Sequence, residues 1–356
     1  MRVLAWVPMP LDTTPGQRFR IEQWAPHLAA HGVEVSYAPF LDEEATALLG
    51  RPGHVLEKAG AVLQGVLRRL LQAARDLPAD LVYVFREGAL LGPALAERLL
   101  GVRDVPFVFD FDDAVWVRYI SPANGLLSYL RFPGKTATLC RRARHVMAGN
   151  DYLRAYALRY TSRVSLVPTT IDTEKYRPPA YRPDREPVVG WSGSFTTVQY
   201  LTLVKPALEQ LARRRSFRVR VVGGTGVSIT GVHVECLPWR AETEVADISS
   251  FDVGLMPLPD DIWSRGKCGL KILQYMALGV PAVASAVGVN RQIIRHGWNG
   301  LLAADEQEWV ESLDELLGNE RLRQEMGRHG RRTVEEGYSA AVVAPLVARV
   351  FTDAAR

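Results

Sequence analysis

The sequence predicts an α/β protein made of two doubly wound parallel sheets facing a cleft. Two observations carry that expectation. Short apolar runs of strand length alternate with segments of helical periodicity, the pattern of βαβ units. The alternation is interrupted once, by the charged, Pro-rich stretch DTEKYRPPAYRPDREP at 172–187, and then resumes. A chain of 356 residues is long enough to fill two such cores. The expected organisation is a first domain over 1–171, a linker over 172–187, a second domain over 188–338, and a terminal helix over 339–356 that can return to the first domain.

In the first half, residues 2–7 read as an apolar strand, followed by a loop and a helix over 21–30 that Gly32 closes. A strand follows at 33–37. Residues 55–77 show helical periodicity with a basic face. Then come a strand at 81–85, a helix over 90–100, a strand at 106–109, a helix over 126–144 interrupted near Pro133-Gly134, and strands at 146–148 and 164–167. The second half opens with a strand at 188–189. It continues with a helix over 201–213, a strand at 218–222, a helix over 242–249, a strand at 252–256, a long helical run over 305–335, and a last helix over 340–352.

The stretch at 265–288, RGKCGLKILQYMALGVPAVASAVG, carries most of the chemistry. An apolar helix bears Lys271 and Gln274 near its start, stops at Gly279 with Pro281 just beyond, and leads into a small strand at 282–284. A helix N-terminus offers unpaired amides and a partial positive charge, and Lys271 adds a full one, so the place suits a diphosphate. Lys271 and Gln274 share a helix face, so one can meet phosphate while the other hydrogen-bonds a sugar hydroxyl. The competing account is a helix-strand unit with a solvated lysine.

This stretch resembles the donor-sugar signature of retaining glycosyltransferases of the family-4, group-1 type. Their pattern is Glu, seven residues, Glu-Ala-Met-Ala, then Gly-x-Pro-Val-Val-Ala. Gln274-Tyr275-Met276-Ala277, Gly279-Val280-Pro281 and Ala282-Val283-Ala284 follow it, with Gln274 at the second Glu and Gly266 at the first. VPTTIDTEKY at 167–176 resembles the Pro-Asn-Gly-Val-Asp segment that leads into the family's second domain. VRVVGGTG at 219–226 and HGWNGLL at 296–302 resemble its Gly-rich turn and its Asn-Gly-Leu-Leu turn. The resemblance covers nearly the whole second half and is weaker over the first. It implies the GT-B fold, with the nucleotide-sugar donor on the second domain and the acceptor on the first. It also implies transfer with retention and no bound metal, the departing phosphate assisting deprotonation of the acceptor.

Family members hold the diphosphate with two cations after the first strand of the second domain. Trp191 and Gln199 stand near those places here, so Gly193, Ser194 and Thr196 remain to offer amides and hydroxyls. Arg265, Lys267 and Lys271 are the substitutes for the missing cations, with Lys271 also placed to stabilise charge in the reaction. On the acceptor side, Asp110, Asp112 and Asp113 follow an apolar strand, at the functional end of a parallel sheet. Asp112 and Asp113 are the candidate catalytic carboxylates, although Asp113 would equally serve as a helix cap. Gly16, Arg18 and Arg20 in the first loop, with Arg86 after the third strand, could grip an anionic group. Asp110-x-Asp112 also allows a Mg²⁺-dependent phosphatase in which Asp110 attacks phosphorus. Such enzymes need a later Gly-Asp motif, and the chain has no Gly-Asp dipeptide.

Composition excludes other classes. The net charge of +4 is too mild to argue for nucleic acid. Three scattered cysteines, Cys140, Cys236 and Cys268, have no metal spacing and suggest a reducing compartment. No signal peptide or apolar run of spanning length is visible, so a cytoplasmic protein is expected. Peripheral contact with an anionic inner membrane face is expected through the basic face of residues 55–77, with Arg68 and Arg69; the competing account is a helix packed on its own domain with a solvated arginine row. The reading is a glycosyltransferase with no cofactor, using a nucleotide-diphosphate sugar and a glycan, lipid-linked or small-molecule acceptor. The alternatives are a nucleotide-sugar epimerase on the same fold, the phosphatase, and a non-catalytic binding protein.

Overall fold

The chain folds into two units, residues 1–169 with 343–356, and residues 170–342. The computed structural model describes residues 1–49, 51, 53–118, 132–180 and 185–356. In the first unit six parallel strands, β1 (Arg2–Val7), β2 (Glu34–Pro39), β3 (Leu81–Phe85), β4 (Phe107–Phe111), β5 (His145–Ala148) and β6 (Val164–Leu166), lie in the order β2-β1-β3-β4-β5-β6. Strands β3 and β4 are buried residue for residue. That explains their unbroken apolar runs, since helices cover both faces of such a sheet. The sheet reverses direction of growth between β1 and β3, so ligands are expected beyond the carboxyl ends of those strands.

In the second unit β7 (Val188–Ser192), β8 (Arg218–Val222), β9 (His233–Leu237), β10 (Val253–Met256), β11 (Ala282–Ser285) and β12 (Gly300–Ala303) lie in the order β12-β11-β10-β7-β8-β9, again all parallel. Here the reversal falls between β7 and β10. The two strands pair only at Val253 with Val189 and Gly254 with Gly190. Beyond that point the Tyr275 hydroxyl stands between them, accepting from Ser192 N at 3.1 Å and donating to Leu255 O at 3.2 Å. The glycines make room for aromatic rings: a Cβ on Gly254 would sit 2.3 Å from Tyr275, and one on Gly190 2.0 Å from Phe251.

Several expectations need correction. The first loop is helical from Pro15, through a wide turn at Arg18–Glu22 into Gln23–Ala29. The helix expected over 90–100 begins only at Leu95, after Gly92 and Pro93. The run expected over 305–335 is two helices, Glu306–Gly318 and Glu320–Gly337. Asn319 separates them because its side-chain oxygen caps the second, accepting from Leu322 N at 3.0 Å. The edge strand β9 and the strand β12 were not expected, nor was the helix Asp151–Leu158. Part of the helix expected over 126–144 lies outside the described residues, and the described part is helical at Lys135–Arg142.

Residues 173–176, expected in a linker, are packed into the second unit. Arg331 donates to the carbonyls of Thr173 and Tyr176. The terminal helix, Ala340–Ala355, carries residues 343–356 into the first unit, where Phe351 sets its edge against Tyr83.

The helix Val55–Ala74 reverses the expected polarity. Of its cations Lys58 and Arg69 are buried and Arg68 is half-exposed, its Nη2 3.6 Å from Asp42 Oδ2, while Leu56, Leu63, Leu67 and Leu71 are exposed. Lys58 donates to Arg51 O at 2.5 Å. Arg69 donates to Gly88 O at 2.8 Å and Ala38 O at 2.9 Å and stacks over Trp6. Burial pushes the Arg69 guanidinium down to about 9, so it remains charged at neutral pH. Among the described residues no helix is long and apolar enough to cross a membrane.

Candidate active site

In the second unit the helix Leu270–Ala277 begins at Gly269, which holds φ +72°. A side chain there would also strike Ile293, 2.3 Å from an added Cβ. No side chain caps the amides of the first helical turn. Lys271, on that turn, lays its ammonium 5.3 Å from the centre of the Trp191 ring. Gly193 lies against the same pair: an added Cβ would sit 2.5 Å from Trp191 and 2.9 Å from Lys271 Cε. Lys271 and Gly193 are thus brought together at the carboxyl end of β7, beside the switch point. Gly223, with φ +82°, closes the turn after β8 so tightly that a Cβ would meet Gly193 O at 2.0 Å.

Ser194 and Thr196 follow on an exposed turn, their hydroxyls 2.7 Å apart. Arg265 forms a two-pronged contact with Asp260, Nε at 2.7 Å and Nη2 at 3.1 Å, and Lys267 lies over the Trp263 ring at 4.7 Å. Gln274 departs from expectation. It is buried and donates to Glu244 Oε1 at 3.2 Å and Tyr176 Oη at 3.3 Å. Glu244 also accepts from Tyr176 Oη at 2.6 Å and Trp239 Nε1 at 2.9 Å. The buried Glu244 carboxylate and the Tyr176 hydroxyl occupy the Gln274 amide, so it is directed into the domain. No periodicity points to this cluster, whose members come from three stretches of the chain, at 176, 239–244 and 274.

In the first unit the acidic run at the end of β4 divides by partner. Asp110 is fully buried and chelated by Arg20, with Nε and Nη2 each at 2.6 Å. Tyr83 Oη donates to the same carboxylate at 2.5 Å, and Arg20 Nη1 donates to Val167 O at 2.9 Å. Burial opposes charge on Arg20, but Asp110 more than offsets it and holds the guanidinium protonated above its usual range. Arg20 and Asp110 are therefore a structural ion pair and not ligand contacts. Arg18 is buried as well, against Phe19. The grip expected of this segment is absent because its side chains turn into the domain.

Asp112 accepts from Arg86 Nε at 2.6 Å. Arg86 holds φ +60°, an uncommon conformation for a residue with a side chain, at the carboxyl end of β3 and hence at this sheet's switch point. Gly16 packs on the pair: an added Cβ would lie 2.7 Å from Arg86 Nη2 and 2.8 Å from Asp112 Oδ2. Asp113 Oδ1 accepts from the next amide, Ala114 N, at 3.1 Å. Gly16, Arg86 and Asp112 are thus brought together, and Arg20 with Asp110 is set beneath.

Two family models match the chain, one for each unit. Glycosyltransferase Family 4 matches residues 16–175, and Glycosyl transferases group 1 matches residues 186–319. The chain belongs to the group-1/family-4 glycosyltransferases. Similar members of this family include D-inositol 3-phosphate glycosyltransferase of Thermobispora bispora, 37% identical over 33% of the chain and 27% of that protein. The enzyme of the same name from Nocardia farcinica is 27% identical over 50% of the chain and 45% of that protein. The alignments thus span less than half the length of these curated relatives. Among solved structures, HepE of Anabaena in complex with UDP-glucose matches with a TM-score of 0.66 at 15% identity, covering 99% of each chain. Sucrose-phosphate synthase of Thermosynechococcus elongatus matches with a TM-score of 0.67 at 15% identity, covering 99% of this chain and 98% of that one. At such identity the likeness establishes the GT-B fold.

Proposed function

We propose that the protein transfers a sugar, with retention, from a nucleoside-diphosphate sugar on the second unit to an acceptor hydroxyl on the first. The observation that carries this reading is Lys271 on the uncapped N-terminus of Leu270–Ala277, packed on Gly193 beside the β7–β10 switch point. That arrangement offers amides, a helix dipole and one cation to a diphosphate. HepE, with the same fold, binds UDP-glucose. In the reaction the bond from the anomeric carbon to the diphosphate oxygen breaks and the bond to the acceptor oxygen forms. The acceptor proton passes to the departing phosphate. The protein contributes positioning and stabilisation of the charge that develops on the diphosphate. Asp112, Arg86 and Asp113 are assigned to orienting the acceptor. The phosphatase alternative loses its nucleophile, because Asp110 is buried between Arg20 and Tyr83.

Lys271→Ala tests the donor site by calorimetry. Nucleoside-diphosphate binding should weaken by about 2 kcal/mol while binding of the nucleoside is unchanged. Equal loss for both ligands would remove Lys271 from the phosphate site.

Peripheral membrane contact takes a different form from the electrostatic one. Because Lys58 and Arg69 turn inward, contact through Val55–Ala74 would rest on Leu56, Leu63, Leu67 and Leu71. Flotation with liposomes should then persist at high salt and fall in Leu63→Ser with Leu67→Ser. Binding abolished by salt alone would refute this form.

A further inference from the structure

We infer that Trp116, with Tyr152, forms a stacking platform for a pyranose ring on the first unit, which makes the acceptor a carbohydrate. The inference rests on the transferase reading above and names its substrate class. Trp116 lies in the loop after β4, just beyond Asp112 and Asp113. Tyr152 lies in the first turn of Asp151–Leu158, which follows the carboxyl end of β5. Both are at the end of the sheet where the Arg86–Asp112 pair stands.

The indole is held unusually firmly for a loop residue. Tyr156 lies flat against one face, with ring centroids 3.8 Å apart and planes 6° from parallel. Phe111 meets the ring edge-on at 6.2 Å, and Tyr152 leans beside it at 5.9 Å and 32°. The support continues: Arg159 lies over Tyr156 and Tyr160 at 5.3 and 5.5 Å, and Arg141 over Tyr160 at 4.6 Å. Core tryptophans of this chain, Trp6, Trp24 and Trp191, are closed off from solvent. Trp116 and Tyr152 instead remain partly exposed.

A ring that is backed on one face and still reaches solvent offers rigid contact area at little entropic cost. The C–H groups on one face of a pyranose are weakly positive and fit the negative face of an indole. The hydroxyls around the ring then need donors and acceptors, and the Arg86–Asp112 pair, at the same end of the sheet, carries both kinds. A flexible acyclic polyol has no such face.

Saturation-transfer NMR on the full chain tests this, with irradiation of aromatic protons. The probes are the methyl α-pyranosides of glucose, mannose and galactose, myo-inositol as a carbocyclic ring, and sorbitol as an acyclic control. Transfer to the ring C–H protons of a pyranoside is expected, with none to sorbitol. Trp116→Ala should weaken half-saturation by about tenfold while Trp116→Phe retains most of it. UDP affinity, measured in parallel by calorimetry, should be the same in all variants. If Trp116→Ala loses UDP binding as well, it has failed to fold, and Tyr152→Ala decides by the same criterion. No transfer to any pyranoside in the wild type overturns the platform, as does transfer that survives the deciding variant. Transfer only to myo-inositol overturns the pyranose assignment. Pyranoside transfer without binding of UDP, GDP, ADP or dTDP would instead sink the transferase reading and leave the platform standing.

Discussion

Gln274 stands where the family has Glu, and Glu244 supplies a physical reason. Its Oε1 lies 3.2 Å from Gln274 Nε2, in a place closed to solvent. A carboxylate at 274 would face the Glu244 carboxylate at that distance, and the repulsion favours uptake of a proton by one of the two. Gln274→Glu, which restores the family residue, should therefore destabilise the protein by about 3 kcal/mol. The raised titration adds a sign: a carboxyl whose folded pKa is raised loses its contribution as pH rises. Urea unfolding should show a larger deficit at about pH 8 than at about pH 5.5. A deficit independent of pH would disprove the close carboxylate contact. The same scale shows what residue identity conceals. Arg20 and Asp110 read equally well as ligand contacts or as partners, because sequence records charge and not the direction of a side chain.

At the scale of elements, Arg331 joins three segments. It donates to Ala277 O at 2.7 Å, at the C-terminus of Leu270–Ala277, and to Thr173 O at 2.9 Å and Tyr176 O, and it also meets Glu335. A guanidinium on the last carbonyls of a helix opposes the dipole's negative end. Arg331→Ala should lower unfolding stability by about 2 kcal/mol, read from the urea midpoint at constant slope. An unchanged midpoint would show that water replaces these bonds without cost. His145, opening β5, provides a pH test. Burial and Arg163 hold its imidazolium pKa below the ordinary 6.5, with Asp353 opposing and Ser165 Oγ 2.9 Å from Nε2. The unfolded chain then binds more protons in acid, so stability present above the unfolded pKa is lost as pH falls through the folded one. From about pH 7.5 to about pH 5 the wild-type urea midpoint should fall further than that of His145→Gln. Parallel curves would exclude His145 as the source. The helix Val55–Ala74 shows the limit of periodicity at this scale: it revealed two faces but not which one the domain would cover.

At the scale of the whole molecule, each unit carries its own switch point and its own family match. Among the described residues no group of three His, Cys, Asp or Glu side chains is arranged to hold a metal ion. Asp110 and Asp112, the pair with metal-motif spacing, are taken by Arg20 and Arg86. Transfer activity is therefore expected to survive EDTA. Loss of activity with EDTA, restored by Mn²⁺ or Mg²⁺, would require a metal-dependent mechanism instead.

The sequence by itself determined the fold class, the break between two alternating series, and the helix start and stop around Lys271 that resemble the family's signature. Each is a local property: strand and helix periods, a Pro-rich charged stretch, and a helix start and stop repeat within a few residues of one another. Only the tertiary structure decided that Gln274 serves Glu244, that Arg20 serves Asp110, that Lys58 and Arg69 face inward, and that Trp116 rests on Tyr156. Most of these contacts join residues far apart in the chain, and all depend on which way a side chain turns. In a buried environment a charge or a ring takes whichever partner the packing of the sheet and its helices presents, and that choice leaves no period in the sequence.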